Sequence, residues 1–232
     1  MKILALLLVL AFGASTAAAG AQTRAVDDPC IEPGETAVHL RASDGARIYG
    51  VHVGNGPNGV VLAHQFLSDH CEFMPFAREL AARGYRVLVI DHRGNGASSG
   101  GSPSRLDLDV AAAVGRLRAD GATKVKLIGA SMGGTAVLAA AARIRPVQGV
   151  LSLSGARRFR GLDALRAVRR SRVPVRFLAT NGDVSFRIDA RALMRASAAR
   201  DKAVVIYGGS LHGSLLLRIP RAKRYVLSFL AR

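Results

Sequence analysis

The sequence predicts an α/β architecture: a mostly parallel sheet of about eight strands, with helices on both faces and no large lid. Three observations carry this. Short apolar runs alternate with segments of helical period along most of the chain. The runs are continuous, as in Val60–Ala63 and the Val87–Ile90 part of Tyr85–Ile90, which suits strands covered on both faces. A hairpin turn signal, Ser43-Asp44-Gly45-Ala46, opens the series. The 232 residues suit one domain with a sizeable core.

In chain order, Thr36–Ala42 and Arg47–Val53 read as the two strands of that hairpin. Gly54 to Gly59 is a loop rich in Gly, Asn and Pro. Val60–Ala63 is a short buried strand. Glu72–Arg83 places Phe73, Phe76, Ala77 and Leu80 at helical spacing, and Gly84 ends it. Tyr85–Ile90 is a strand, 91–104 a Gly- and Ser-rich loop, and Arg105–Arg118 a helix closed by Asp120-Gly121. Lys124–Arg143 begins with Val125, Leu127 and Ile128 as a strand and ends in an alanine-rich helix. Val147–Leu153, Val173–Ala179 and Ala203–Tyr207 read as strands; Leu162–Arg170, Asp189–Ala199 and Leu215–Leu230 read as helices. The roughly twenty residues between Leu153 and Val173 hold one crossover helix and no helical lid. A site at that edge is therefore expected to be open to solvent.

The amino terminus has the pattern of a secretory signal. Lys2 is the positive start, Ile3–Phe12 the apolar run, and Ala17-Ala18-Ala19 the cleavage-type site before Gly20. The expected organisation is a signal peptide over 1–19, an extension over 20–35 and a single domain over 36–232. The apolar run is shorter than the roughly 20 residues of a membrane span, and no later window is long enough. An uncleaved signal anchor is the competing reading. Secretion or a periplasmic location follows from the signal. In an oxidising compartment the two cysteines, Cys30 and Cys71, are a disulfide candidate, against the alternative of two free thiols. Neither has metal-ligand spacing to a second Cys, and no metal or other cofactor is expected.

Within Lys124–Arg143 lies Gly129-Ala130-Ser131-Met132-Gly133, a strand turning sharply into a helix with Ser131 at the corner. The flanking glycines let neighbouring backbone come close, which a nucleophile elbow requires. A serine hydroxyl needs a base, and the base an orienting carboxylate. His212 is the only histidine after Ser131, in the glycine-flanked loop that follows the last strand. Asp183 follows the strand Val173–Ala179 and is the preferred acid. Asp189 is the rival, but suits the amino-terminal cap of the helix behind it. The oxyanion candidates are the N–H of Met132, next to the nucleophile, and that of Phe66, with Gln65 as the second choice, in the loop beyond Val60–Ala63. His64 is expected to brace that loop by hydrogen bonds, and His70 and His92 to be loop residues.

These segments resemble an α/β-hydrolase. The resemblance runs from about residue 36 to 232 and rests on LAHQF at 62–66, GYRVLVIDHRGNGASSG at 84–100, GASMGG at 129–134, NGD at 181–183 and LHG at 211–213. It implies a small lidless serine hydrolase, similar to carboxylesterases and dienelactone-hydrolase-like enzymes. Ser131, His212 and Asp183 would act through an acyl-enzyme on an ester or related acyl bond of a small molecule. The family's segment after the third strand usually reads His-Gly-aromatic, whereas here Gln65 replaces the glycine.

Lys and Arg outnumber Asp and Glu by 33 to 16, giving a net charge of +17. The excess is spread along the chain with no aromatic-interleaved basic stretch, so specific nucleic-acid binding is not expected. Weak attraction to acidic envelope polymers or anionic surfaces is compatible with it. Two alternatives remain: transfer or peptidase chemistry on the same three residues, and a non-catalytic binding protein of the cell envelope.

Overall fold

The computed structural model describes residues 28–232. The expected signal peptide, and residues 20–27 of the expected extension, lie outside them. The eight long strands form one sheet in the order β1-β2-β4-β3-β5-β6-β9-β10. β1 (Thr36–Arg41) and β2 (Arg47–Val53) are the opening hairpin, and β2 runs antiparallel to β4 (Tyr85–Ile90). From β4 onward the pairs are parallel: β3 (Asn58–Ala63), β5 (Lys124–Ala130), β6 (Gly149–Leu153), β9 (Val175–Thr180) and β10 (Lys202–Tyr207). The fold class is the one expected from the strand–helix alternation.

Residues alternate between two apolar layers because successive strand side chains point to opposite faces. In β3, Val60 and Leu62 join one layer, with Phe76, Ala77 and Leu80 of α1 (Met74–Ala82) and Val226 and Phe229 of α6 (Pro220–Ala231). Val61 and Ala63 join the other, with α2 (Leu106–Ala119), α3 (Met132–Ala141) and α5 (Val184–Ala196). The chain leaves β3 toward β4 on one side and later returns as β5 on the other. A crevice opens where the strand order reverses in this way, at the carboxyl ends of β3 and β5.

Three local expectations need correction. The helix expected over Asp189–Ala199 is α5, which begins five residues earlier. Val184 and Ile188 in its first turns are exposed, so the apolar spacing that marks a helix start is blurred. Asp189 is therefore not a cap: it lies mid-helix, where its carboxylate accepts from Arg157 N at 2.9 Å and Arg157 Nε at 2.5 Å. The helix expected over Leu162–Arg170 is preceded by a small hairpin, β7 (Arg158–Phe159) and β8 (Leu162–Asp163), and shrinks to α4 (Ala164–Val168). Asp163 caps it, accepting from Arg166 N at 2.8 Å. The helix expected over Leu215–Leu230 divides into a 3₁₀ turn, Gly213–Arg218, and α6, because Pro220 cannot continue a hydrogen-bond ladder but suits a first turn.

Cys30 and Cys71 form a disulfide, which removes the reading of two free thiols. It ties the segment before β1 to the 3₁₀ turn His70–Phe73 that follows β3. Beside it His70 is buried between two carboxylates, with Nε2 3.0 Å from Asp28 and Nδ1 3.0 Å from Asp91. The Tyr49 hydroxyl donates to Asp28 at 2.7 Å. Asp28, Cys30, His70 and Cys71 are close enough to suggest a metal cluster. The two sulfurs are bonded to each other, however, and supply no thiolate.

Burial opposes the charge on His70, but the hydrogen bond and charge of Asp91, with Asp28, raise its pKa above the usual histidine value. Burial also works against ionising Asp28 and Asp91. Hydrogen bonds from Tyr49 and Cys30 N to Asp28, and from His70 and Ala97 N to Asp91, reverse this and lower both. A raised histidine pKa gives stability that is complete below the unfolded value near 6.5 and lost as pH rises through the folded value; the aspartates give stability lost only at acid pH. Urea unfolding of the wild type and His70→Gln should therefore diverge most at about pH 5–6 and converge toward pH 9. A gap that widens with rising pH would contradict the charged state assigned to His70.

Candidate active site

The site is built around the turn between β5 and α3. Ser131 has φ 48° and ψ −110°, a strained conformation for a residue with a Cβ. Its N–H donates to Leu153 O at 2.8 Å, which holds the corner against β6. A Cβ on Gly129 would overlap the carbonyl oxygen of Gly133, and one on Gly133 would overlap that of Ala63. Both glycines are thus required by backbone packed on backbone. Met132 opens α3, so its N–H lies at the positive end of the helix without an intrahelical acceptor.

The loop after β3 reaches the same crevice. His64 is fully buried; its Nδ1 lies 2.7 Å from Gln65 O, and its Nε2 accepts from His92 N at 2.9 Å. An Nε2 that accepts leaves the proton on Nδ1, so this neutral tautomer bridges the loops after β3 and β4. Burial, then the neighbouring His92, pushes its pKa down to about 4. His64 is the brace expected from the sequence. The Gln65 N–H is engaged, donating to Glu72 Oε2 at 3.2 Å. The Phe66 N–H makes no hydrogen bond among the described residues, so of the two loop candidates it is the one left unengaged.

Asp183 and His212 come together. Asp183 precedes the first residue of α5, and His212 Nδ1 lies 2.8 Å from its Oδ2. Three hydrogen bonds lock their loops: Asn181 N to Tyr207 O, Gly182 N to Gly209 O, and Thr180 Oγ1 to Leu211 O. With Nδ1 donating to the carboxylate, Nε2 is the nitrogen left to take a proton. The Phe186 ring packs edge-on against His212, with centroids 4.3 Å apart. The Ser131 hydroxyl makes no hydrogen bond to another side chain among the described residues.

Several neighbours carried no sequence signal strong enough to find. Ser154, buried just past β6, has φ 50° and donates to Asp183 Oδ2 at 2.8 Å, the atom that also faces His212. A serine ending a buried run, Ser152-Leu153-Ser154, was the only hint. Glu72 sits half-buried with its Oε1 unpaired, and burial raises its pKa despite the Ser68 and Ser214 hydroxyls beside it. A Cβ on Gly213 would overlap Gln65 Oε1, so the Gln65 side chain reaches the His212 loop.

The large apolar side chains that are exposed among the described residues are Phe66, Leu67, Val184 and Ile188. Phe66 and Leu67 are in the loop after β3, and Val184 and Ile188 are in the helix that Asp183 begins. Leu67 is 86% exposed and Phe66 41%. All four lie in the segments that follow the carboxyl ends of β3 and β9. A cavity of about 460 Å³ does exist, but Ala139, Ala142 and Arg143 line it at the opposite end of α3 from Ser131.

Sequence comparison identifies the "alpha/beta hydrolase fold" family over residues 58–214. No curated protein sequence gives a significant match. Among solved structures, an esterase from Pyrococcus furiosus is similar at TM-score 0.75 and 17% identity, covering 85% of this chain and 91% of that one. An esterase from Exiguobacterium antarcticum aligns at TM-score 0.68 and 16% identity, over 85% of this chain and 100% of its own. An enol-lactonase from Burkholderia xenovorans aligns at TM-score 0.68 and 17% identity, over 84% and 100%. At these identities the likeness is one of fold.

Replacing His64 by Asn removes the bridge between Gln65 O and His92 N. If Phe66 is an oxyanion donor, turnover of an ester should fall by about 10²-fold or more. Circular dichroism at the assay temperature checks that the variant is folded. Unchanged turnover in a folded variant would show that the bridge does not position the donor.

Proposed function

We propose, from the premise that this chain belongs to the α/β-hydrolase fold family, that it is a serine hydrolase cleaving a carboxylic ester or related acyl bond of a small molecule. The observation that carries this is the 2.8 Å contact between His212 Nδ1 and Asp183 Oδ2 at the sheet edge where Ser131 turns its corner. A carboxylate that fixes one imidazole nitrogen makes the other a base of defined direction.

In the proposed reaction Ser131 Oγ attacks the carbonyl carbon and its proton passes to His212 Nε2. Asp183 stabilises the imidazolium and stays ionised. The N–H groups of Met132 and Phe66 receive the developing oxyanion, each worth typically about 10²–10³-fold. The tetrahedral adduct collapses, and the leaving alcohol takes the proton from His212. Water, deprotonated by the same histidine, then attacks the acyl-enzyme and frees Ser131. Gln65, the second loop candidate, contributes its side chain toward the His212 loop and no free N–H. Ser154 holds Asp183 by its second hydrogen bond. The short connection between β6 and β9 and the exposed apolar side chains favour short or exposed substrates over deeply enclosed lipid chains.

Export is part of the same proposal. The signal pattern over 1–19 would deliver the domain to an oxidising compartment, and the Cys30–Cys71 disulfide supports such a destination. No helix among the described residues is long and apolar enough to cross a membrane. The net charge of +17 supports weak attraction to anionic surfaces.

A fluorophosphonate should label the protein at Ser131, and Ser131→Ala should abolish both labelling and hydrolysis of a short p-nitrophenyl ester. An unlabelled wild type that turns over no ester would indicate a silent scaffold. Asp183→Asn should lower kcat by about 10²–10⁴-fold by favouring the wrong imidazole tautomer. Asp189→Asn, which removes only the contact with Arg157, should stay within about threefold. Equal losses in the two variants would put the acid assignment aside.

A further inference from the structure

The β7–β8 hairpin is closed by two residues, Arg160 and Gly161, between the paired Phe159 and Leu162. Their φ values are 40° and 92°. Positive φ at both loop positions is the type I′ turn, whose first position is best filled by Asn, Asp or Gly. Arginine there is strained, since its Cβ crowds the following carbonyl. The turn needs positive φ, but it does not need a cation.

The side chain at this awkward position has a definite place. The Arg160 guanidinium lies 4.8 Å from the ring centroid of Phe66 and 5.7 Å from that of Phe159, and the two rings are 5.8 Å apart. Cations are attracted to ring faces in this way, and a stacked guanidinium keeps its edge N–H groups free for a planar anion. The neighbouring arginines are committed, Arg157 to Asp189 and Arg158 to Asp163. Arg160 has no carboxylate within ion-pair distance and donates no hydrogen bond among the described residues. It is an exposed cation resting on the aromatic ring of the segment that carries the Phe66 N–H.

We propose that Arg160, held on Phe66, is a specificity residue selecting esters that carry a carboxylate or similar anion a few bonds from the scissile carbonyl. This deepens the reading of Ser131 as the nucleophile and rests on it. A substrate would then meet two complementary features. The apolar rim of Leu67, Val184 and Ile188 takes the hydrocarbon portion, and Arg160 takes the charge by a charge-assisted hydrogen-bonded pair.

The test uses pairs of esters of similar length. Monoethyl succinate against ethyl valerate places the carboxylate on the acyl side. 3-Acetoxypropanoate against butyl acetate places it on the alcohol side. In the wild type, kcat/KM for one of the anionic esters should exceed that of its neutral partner. In Arg160→Gln that ratio should fall about tenfold, mainly through KM, with the neutral ester little changed. Arg160→Lys should keep part of the preference. Arg160→Asn should lose it while raising the melting temperature, since Asn-Gly suits the turn, so charge and backbone strain are read separately. A ratio that Arg160→Gln leaves unchanged for both pairs overturns the proposal, as does a wild type that prefers the neutral ester in both. Calorimetric binding of the same four esters to Ser131→Ala, with and without Arg160→Gln, separates the two readings. Arg160-dependent binding without wild-type turnover would uphold the anion site and reject the hydrolase. Turnover without Arg160 dependence would do the reverse.

Discussion

The arrangement of the site depends on three backbone segments meeting where only hydrogen atoms fit between them. Gly129 at the end of β5 packs against Gly133 in the first turn of α3, and Gly133 in turn lies beneath the carbonyl of Ala63. The loop after β3 can sit beside Ser131 only because neither glycine has a side chain. The same closeness leaves Ser131 with φ 48°, and the hydrogen bond from its N–H to Leu153 O holds it there. Strain of this kind persists where the surroundings over-determine the backbone. Here the parallel pairing of β5 with β3 and β6 does so, because those pairs set the height of every residue at the crevice.

A second constraint is electrostatic and lies on the β3–β4 side. The loop after β4 is bound from all directions by buried polar groups. Asp91 accepts from His70 N and Ala97 N, and the N–H of His92 donates to His64. Arg93 is almost wholly buried between Asp44 and Asp109, and these hydrogen-bonded carboxylates outweigh its burial and raise its pKa. Two histidines a few residues apart are thus driven to opposite charge states by what faces them. His64 has backbone groups and another imidazole as neighbours and remains neutral, whereas His70 has two carboxylates and favours the charged form. The neutral one carries the loop that ends in Phe66, and the charged one anchors the disulfide-linked segment behind it.

The hairpin that replaces part of the expected crossover helix changes how the open edge is understood. The missing lid is not simply a short connection. Phe159 and Arg160 fold back onto Phe66, so a two-residue turn in a conformation that arginine fills poorly lies against the loop after β3. Apolar side chains and one stacked cation then share the rim.

Much of this was legible in the residues themselves. The strand–helix alternation gave the sheet, because apolar periodicity is local and each period suits one element. The glycines around Ser131 marked the elbow, and chain order put Asp183 and His212 after it. Export-type patterning with two cysteines pointed to the disulfide. Tertiary structure decided what depends on contacts between distant segments. The start of α5 was hidden because Val184 and Ile188 face solvent at the rim, which defeats the rule that apolar spacing marks a buried face. Asp189 looked like a cap until α5 carried it past the first turn and onto Arg157. That Glu72 engages the Gln65 N–H, that Ser154 shares Asp183 with His212, and that Arg160 rests on Phe66 are facts of side chains brought together from different loops. No local pattern encodes such meetings, because they arise only when the sheet sets its loops side by side.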